Sequence, residues 1–185
     1  MKRIVVLAAV VAMVTSLGMA GEFAGVKVPD QVTVDGTTLH LNGMGVRKKL
    51  WIKVYVGALY LEHPNHSVNQ ILKDEGYKRI EMHFLTNKAT KKKMDSAWDE
   101  GFEENNPEQY AALKTRVDQL KGFFGDMKDG DVIAFTITPE GETKVELNGE
   151  VKGTISGKDF ATALLRVWLG PEPPSEDLKK GLLGL

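Results

Sequence analysis

Between Leu50 and Leu61 the sequence reads LWIKVYVGALYL, a run dominated by β-branched and aromatic residues. Such side chains lose freedom in a helix and fit a pleated surface, so the run predicts one long strand. A strand of this length needs sheet neighbours and cover for its apolar side, which excludes an all-helical fold. Counting by twos, Leu50, Ile52, Val54, Val56 and Ala58 form the core face. Arg47, Trp51, Lys53 and Tyr55 share the other side, which places a permanent cation at the mouth of an apolar element.

The flanking segments set the class. VPDQVTVDGTTLHLNGMG predicts two short strands around Asp35-Gly36. Ser67 starts a short helix that Gly76 closes. YKRIEMHFLT alternates, with Ile80, Met82 and Phe84 on one side and Tyr77, Arg79, Glu81 and His83 on the other, which predicts a half-buried strand. Thr90 caps a helix with Met94, Ala97, Trp98, Gly101 and Phe102 on one face. Asn105-Asn106-Pro107 breaks it, and a second helix buries Tyr110, Leu113, Val117, Leu120 and Phe124. Three strands follow from Asp131 to Ser156, with Asn148-Gly149 as the clearest hairpin turn. Ser156 then caps a helix with Phe160, Leu164, Val167 and Trp168 in a stripe, and SEDLKKGLLGL adds a short one. Strands, helices, strands and helix in that order, with no βα rhythm, predict an α+β fold: a largely antiparallel sheet with helices packed on one face.

The first 20 residues read as a signal peptide. Met1-Lys2-Arg3 is basic, Ile4 to Val14 is apolar, and small residues lead to cleavage after Ala20. The apolar run falls short of a membrane span. One domain, residues 21–185, remains. The chain has no cysteine, so it carries neither a lipid-modified cysteine nor a disulfide, and an exported protein of this kind suits a periplasm. Removing Lys2 and Arg3, with no acid, moves the formal charge from −1 to −3, which argues against nucleic acid as a partner.

Most chemical motifs are weak. His63, His66 and His83 lack acidic or cysteine partners at ligand spacing, so no metal is expected. Gly43-Met44-Gly45 precedes no helix and reads as no nucleotide loop, and no cofactor is implied. Lys91-Lys92-Lys93 is a solvated face. Trp98 and Trp168 belong first to the core. Arg47 stands apart: Gly43 and Gly45 let the backbone turn and leave room beside its guanidinium. If helices cover its side of the strand, Arg47 closes an apolar slot with the Tyr55 hydroxyl nearby. That arrangement suits an anionic head on an apolar body, because a planar fork of donors matches a carboxylate or phenolate.

GMGVRKKLWIKVYVGALYLE, AWDEGFEEN and FATALLRVWLGPEPPSEDLKKGLLG together resemble the chalcone isomerase-like family, in its bacterial exported branch, from about Val26 to Gly184. The resemblance implies an open-faced β-sandwich with a ligand cleft between sheet and helices. Within the family some members cyclise a chalcone to a flavanone, some bind fatty acids, and others assist flavonoid synthesis without catalysis. It places Arg47 at the enzymes' substrate-holding arginine, and Arg47 with Tyr55 looks like the carboxylate grip of the fatty-acid binders. The enzymes' catalytic tyrosine and asparagine fall on Thr90 and Ala97, and neither side chain can do that work. The expectation is a non-catalytic periplasmic protein binding a small amphipathic anion, plausibly a fatty acid, through Arg47, Tyr55, Thr90 and Trp98. The alternative is an isomerase, an intramolecular lyase for a chalcone-like phenol, with Arg47 as its catalytic residue.

Overall fold

The computed structural model describes residues 19–185. The expected signal peptide lies almost wholly outside them. Among the described residues no helix is long and apolar enough to cross a membrane.

A first hairpin, β1 (Met19–Phe23) and β2 (Val26–Pro29), forms its own two-stranded sheet. The main sheet has seven strands, β3 (Gln31–Val34), β4 (Thr37–Lys49), β5 (Ile52–Leu61), β6 (Lys78–Phe84), β7 (Val132–Ile137), β8 (Glu142–Leu147) and β9 (Glu150–Ser156). They lie side by side in chain order, each antiparallel to the next. Helices α1 (Val68–Lys73), α2 (Lys91–Asn105), α3 (Tyr110–Gly122), α4 (Lys158–Leu169) and α5 (Glu176–Leu182) fill the connections and the end. The expected α+β class, with an antiparallel sheet and covering helices, is what the chain adopts.

Turn chemistry sets the meander. Asp35-Gly36 and Asn148-Gly149 both take positive φ at both positions, as a two-residue I′ hairpin requires. The long strand expected from Leu50 onward is different. Residues Leu50 and Trp51 are the loop of the β4–β5 hairpin, with Lys49 paired to Ile52. Arg47 therefore lies near the end of β4, two residues before Lys49, and does not share a continuous strand with Tyr55. It faces Tyr55 directly across the hairpin. An extra residue at Val54 bulges β5 between these pairs, which re-aims the side chains around it.

The sheet buries both faces at its β5 centre. On one side Tyr55, Leu59, Ile80, Phe84 and Phe135 pack against Trp98, Phe102, Leu113, Val117, Phe160, Leu164 and Trp168 from α2, α3 and α4. On the other, Ala58 and Tyr60 meet Val28, Val34 and Leu39 beneath the first hairpin. The main core thus lies on the Tyr55 side, opposite to the face that counting by twos selects. A strand covered on both sides reads as a continuous apolar run and gives no alternation to count. Beyond the first hairpin the outer face is polar. Arg79 bridges Glu81, Thr136 and Glu146 there, and His83 meets Glu81.

Gly43 and Gly45 serve a purpose other than turning. Both lie in extended β4, and α5 sits directly on them. A Cβ at Gly45 would lie 2.5 Å from the Leu178 carbonyl oxygen, one at Gly43 would overlap the Gly181 carbonyl, and one at Gly181 would overlap that of Met44. Three glycines let helix and strand backbones touch. Asn42, the extra residue of a second bulge, is buried and donates to the Leu182 carbonyl, which fixes the helix end.

Candidate functional site

The β4–β5 hairpin and the helices that cross its inner face leave a cleft of about 240 Å³. Arg47, Lys48, Lys49 and Tyr55 line it from the hairpin. Trp98 and Ala97 line it from α2, Trp168 from α4, and Met82 and Met94 contribute apolar floor. Carboxylates of Glu100, Glu104 and Glu172 stand on the helix side of the mouth.

The side chains are positioned by their elements. The one-to-one pairing of Arg47 with Tyr55 puts the guanidinium carbon 5.8 Å from the centre of the phenol ring, within reach of a cation–π contact. Arg47 is half-buried, and among the described residues no carboxylate pairs with it. Tyr55 is 1% exposed, and its oxygen accepts a hydrogen bond from Trp168 Nε1 at 3.0 Å. Burial raises the phenol pKa, while the Arg47 charge and the Trp168 bond pull the other way, with a net rise. Tyr55 is therefore a neutral phenol whose own proton has no protein acceptor among the described residues. Trp98 stands edge-on to Trp168 and Phe135, and its Nε1–H is buried without a partner. The cleft wall thus offers a cation and one uncommitted phenol donor over an apolar floor, a set that suits an anion with an apolar body.

Three of the four expected ligand-binding residues, Arg47, Tyr55 and Trp98, come together here. Thr90 does not. It precedes α2 outside the cleft lining, and it makes no side-chain cap; Asp126 instead accepts from the Lys91 amide at 2.6 Å. Ala97 lines the cleft and offers no hydrogen-bonding group. Trp168 reads from the sequence as a core residue alone, yet it orients the phenol. The available signal was its indole N–H, which a buried stripe has to satisfy somewhere. The histidines are dispersed: His63 meets Asp74, His66 the Leu183 carbonyl and His83 Glu81. Among the described residues no cluster of three or more such groups could hold a metal.

The fold matches that of the crystal structure of a fatty-acid binding protein from Arabidopsis thaliana. The TM-score is 0.68 at 14% identity, covering 86% of this chain and 92% of that one. At this identity the likeness is one of fold. No curated protein matches the sequence. Residues 20–184, the whole sheet and every helix described, match the chalcone isomerase-like family, and the chain belongs to it.

Proposed function

We propose that this protein is a non-catalytic binding module for a small amphipathic anion, of which a fatty acid is the fitting example, and that it acts in the periplasm after loss of residues 1–20. The observation that carries the reading is Arg47: a half-buried guanidinium with no carboxylate partner among the described residues, set beside a neutral buried phenol whose proton has no acceptor among them. A carboxylate placed there gains charge-assisted hydrogen bonds worth about 1.5–3 kcal/mol. The fold shared with a plant fatty-acid binding protein supports the same reading.

The chemistry of cyclisation finds less support. Ala97 contributes no donor to the cleft, and Thr90 lies outside its lining. What remains is electrostatic grip, which holds a substrate without moving a proton.

The test is isothermal calorimetry with laurate. Arg47→Ala is expected to weaken binding at least about tenfold, the equivalent of one charge-assisted bond, with the circular dichroism and melting temperature of the parent. Equal affinity in the two proteins would remove Arg47 from the site.

A further inference from the structure

Hairpin tips ordinarily carry glycine, asparagine and other polar residues. The β4–β5 tip carries Leu50 and Trp51, exposed by 79% and 84%. Leu50 also has φ of +57°, a left-handed backbone at a loop position where glycine is the unstrained choice. Apolar exposure and backbone strain both work against the folded state in water, and nothing in the core is gained by either. Such features mark a surface shaped for contact.

The surroundings say what kind of contact. Lys48, Lys49 and Lys53 flank the tip and are exposed. With Arg47 they place four cations in seven residues, and no acid occurs from Gly43 to Leu61. None of the four has an ion-pair partner among the described residues. This local excess of positive charge sits on a chain whose formal charge is −1. A second copy of the chain is a poor occupant, since tip against tip sets cation against cation. An anionic bilayer is complementary to every residue of the tip itself, with Glu100, Glu104 and Glu172 set apart on the helix side of the cleft mouth. Indole rings settle at the level of lipid headgroups, a leucine reaches the acyl boundary, and lysines meet phosphates while their stems lie along apolar surface.

We propose that the hairpin tip Lys48–Lys53 docks this protein on anionic phospholipid surfaces. Because Lys48 and Lys49 also line the Arg47 cleft, docking brings the cleft mouth to the edge of the bilayer, where amphipathic anions partition. That last link rests on the proposed function; the docking itself does not.

Trp51 provides its own reporter, since the other two tryptophans, Trp98 and Trp168, are 3% and 1% exposed. The mature chain, residues 21–185, is mixed with vesicles of phosphatidylcholine alone or with about one-third phosphatidylglycerol, a surface able to attract lysines. The anionic vesicles are expected to shift the tryptophan emission to the blue and to sediment the protein. Neutral vesicles should retain little of it, and about 0.5 M salt should release the bound fraction. Trp51→Ser is expected to weaken partitioning about tenfold through loss of buried apolar area, and Lys53→Gln about fivefold through loss of one charge. Both sites are exposed, so the fold is kept and unchanged melting curves verify it. Absence of both shift and sedimentation with anionic vesicles overturns the proposal, as does equal partitioning of Trp51→Ser. A blue shift that depends on protein concentration without vesicles assigns the tip to self-association instead. Laurate calorimetry in vesicle-free buffer is unaffected by any of these results, so docking and ligand binding fail separately.

Discussion

A single hydrogen bond, Trp168 Nε1 to Tyr55 Oη, ties the α4 wall of the cleft to its β5 wall, between residues that are 1% exposed. Its removal has unequal consequences from its two ends. Tyr55→Phe leaves a buried indole N–H without an acceptor, a deficit of about 1–3 kcal/mol. Tyr55→Phe combined with Trp168→Phe removes donor and acceptor together but shrinks a large side chain in the core, so the two losses do not add. Chemical denaturation of both single variants and the double variant should give a coupling energy of at least about 0.5 kcal/mol. Strict additivity would show that the bond does not contribute. Arg47 was recognisable in the sequence because an arginine beside an apolar run is costly and calls for a reason. The tyrosine opposite it was found by parity, although the real cause is cross-strand pairing through a hairpin. That hairpin was hidden because its loop contains leucine and tryptophan, with none of the glycine, asparagine or aspartate that signals a turn.

Among the elements, α5 and β4 show how far a local pattern can mislead. Two glycines in a strand suggest a turn or space for a ligand, and here they are the seat of a helix that lies far away in sequence. Only the folded chain displays such a contact, since its two halves carry no shared local signal. Gly45→Ala forces the Leu178 backbone away and is expected to cost about 1–3 kcal/mol as overpacking. Differential scanning calorimetry should register a fall of roughly 2–4 °C per kcal/mol for a chain of this length; an unchanged melting temperature would mean that α5 floats freely. The start of α4 is held electrostatically. Arg116 forms a bidentate pair with Asp159, at 2.8 and 2.5 Å, and holds its pKa at about 2 against an ordinary 3.8, with partial burial opposing and the Phe160 amide assisting. A depressed carboxyl pKa stabilises the fold above the ordinary value and ceases to do so as pH falls toward about 2. Asp159→Asn should therefore be less stable at pH 7 by about 0.5–1 kcal/mol, solvent screening included, and the difference should close near pH 2. A gap that persists in acid would assign the effect to packing. The helices themselves were legible from their apolar stripes: α2 and α3 each bury one face and expose the other, while α4 is buried almost all round and its stripe is only part of what it hides.

At the scale of the whole molecule, the layered order of strands and helices was readable because each hairpin and stripe follows local rules. The burial of β5 on two sides was not, since the first hairpin that covers its outer face carries little apolar sequence of its own. The enclosed space also limits the guest. A cleft of about 240 Å³ lies below the roughly 300–1,000 Å³ usual for drug-sized ligands. Each buried methylene adds about 0.8 kcal/mol, so affinity should climb steeply along a series of short fatty acids and then level off once the floor at Met82 and Met94 is reached. A calorimetric series from hexanoate to palmitate locates the plateau. A climb that continues through palmitate would mean that the two methionines yield and open a longer channel. The seating of α5 on the strand that bears Arg47 governs assembly as well. β4 can pair with its neighbours early, but its glycine-bare inner surface stays unroofed until the distant C-terminal helix arrives. The C-terminal helix is thus a buckle fastened across the sheet, and any shortened product lacking it would display a naked strip of backbone inviting promiscuous adhesion.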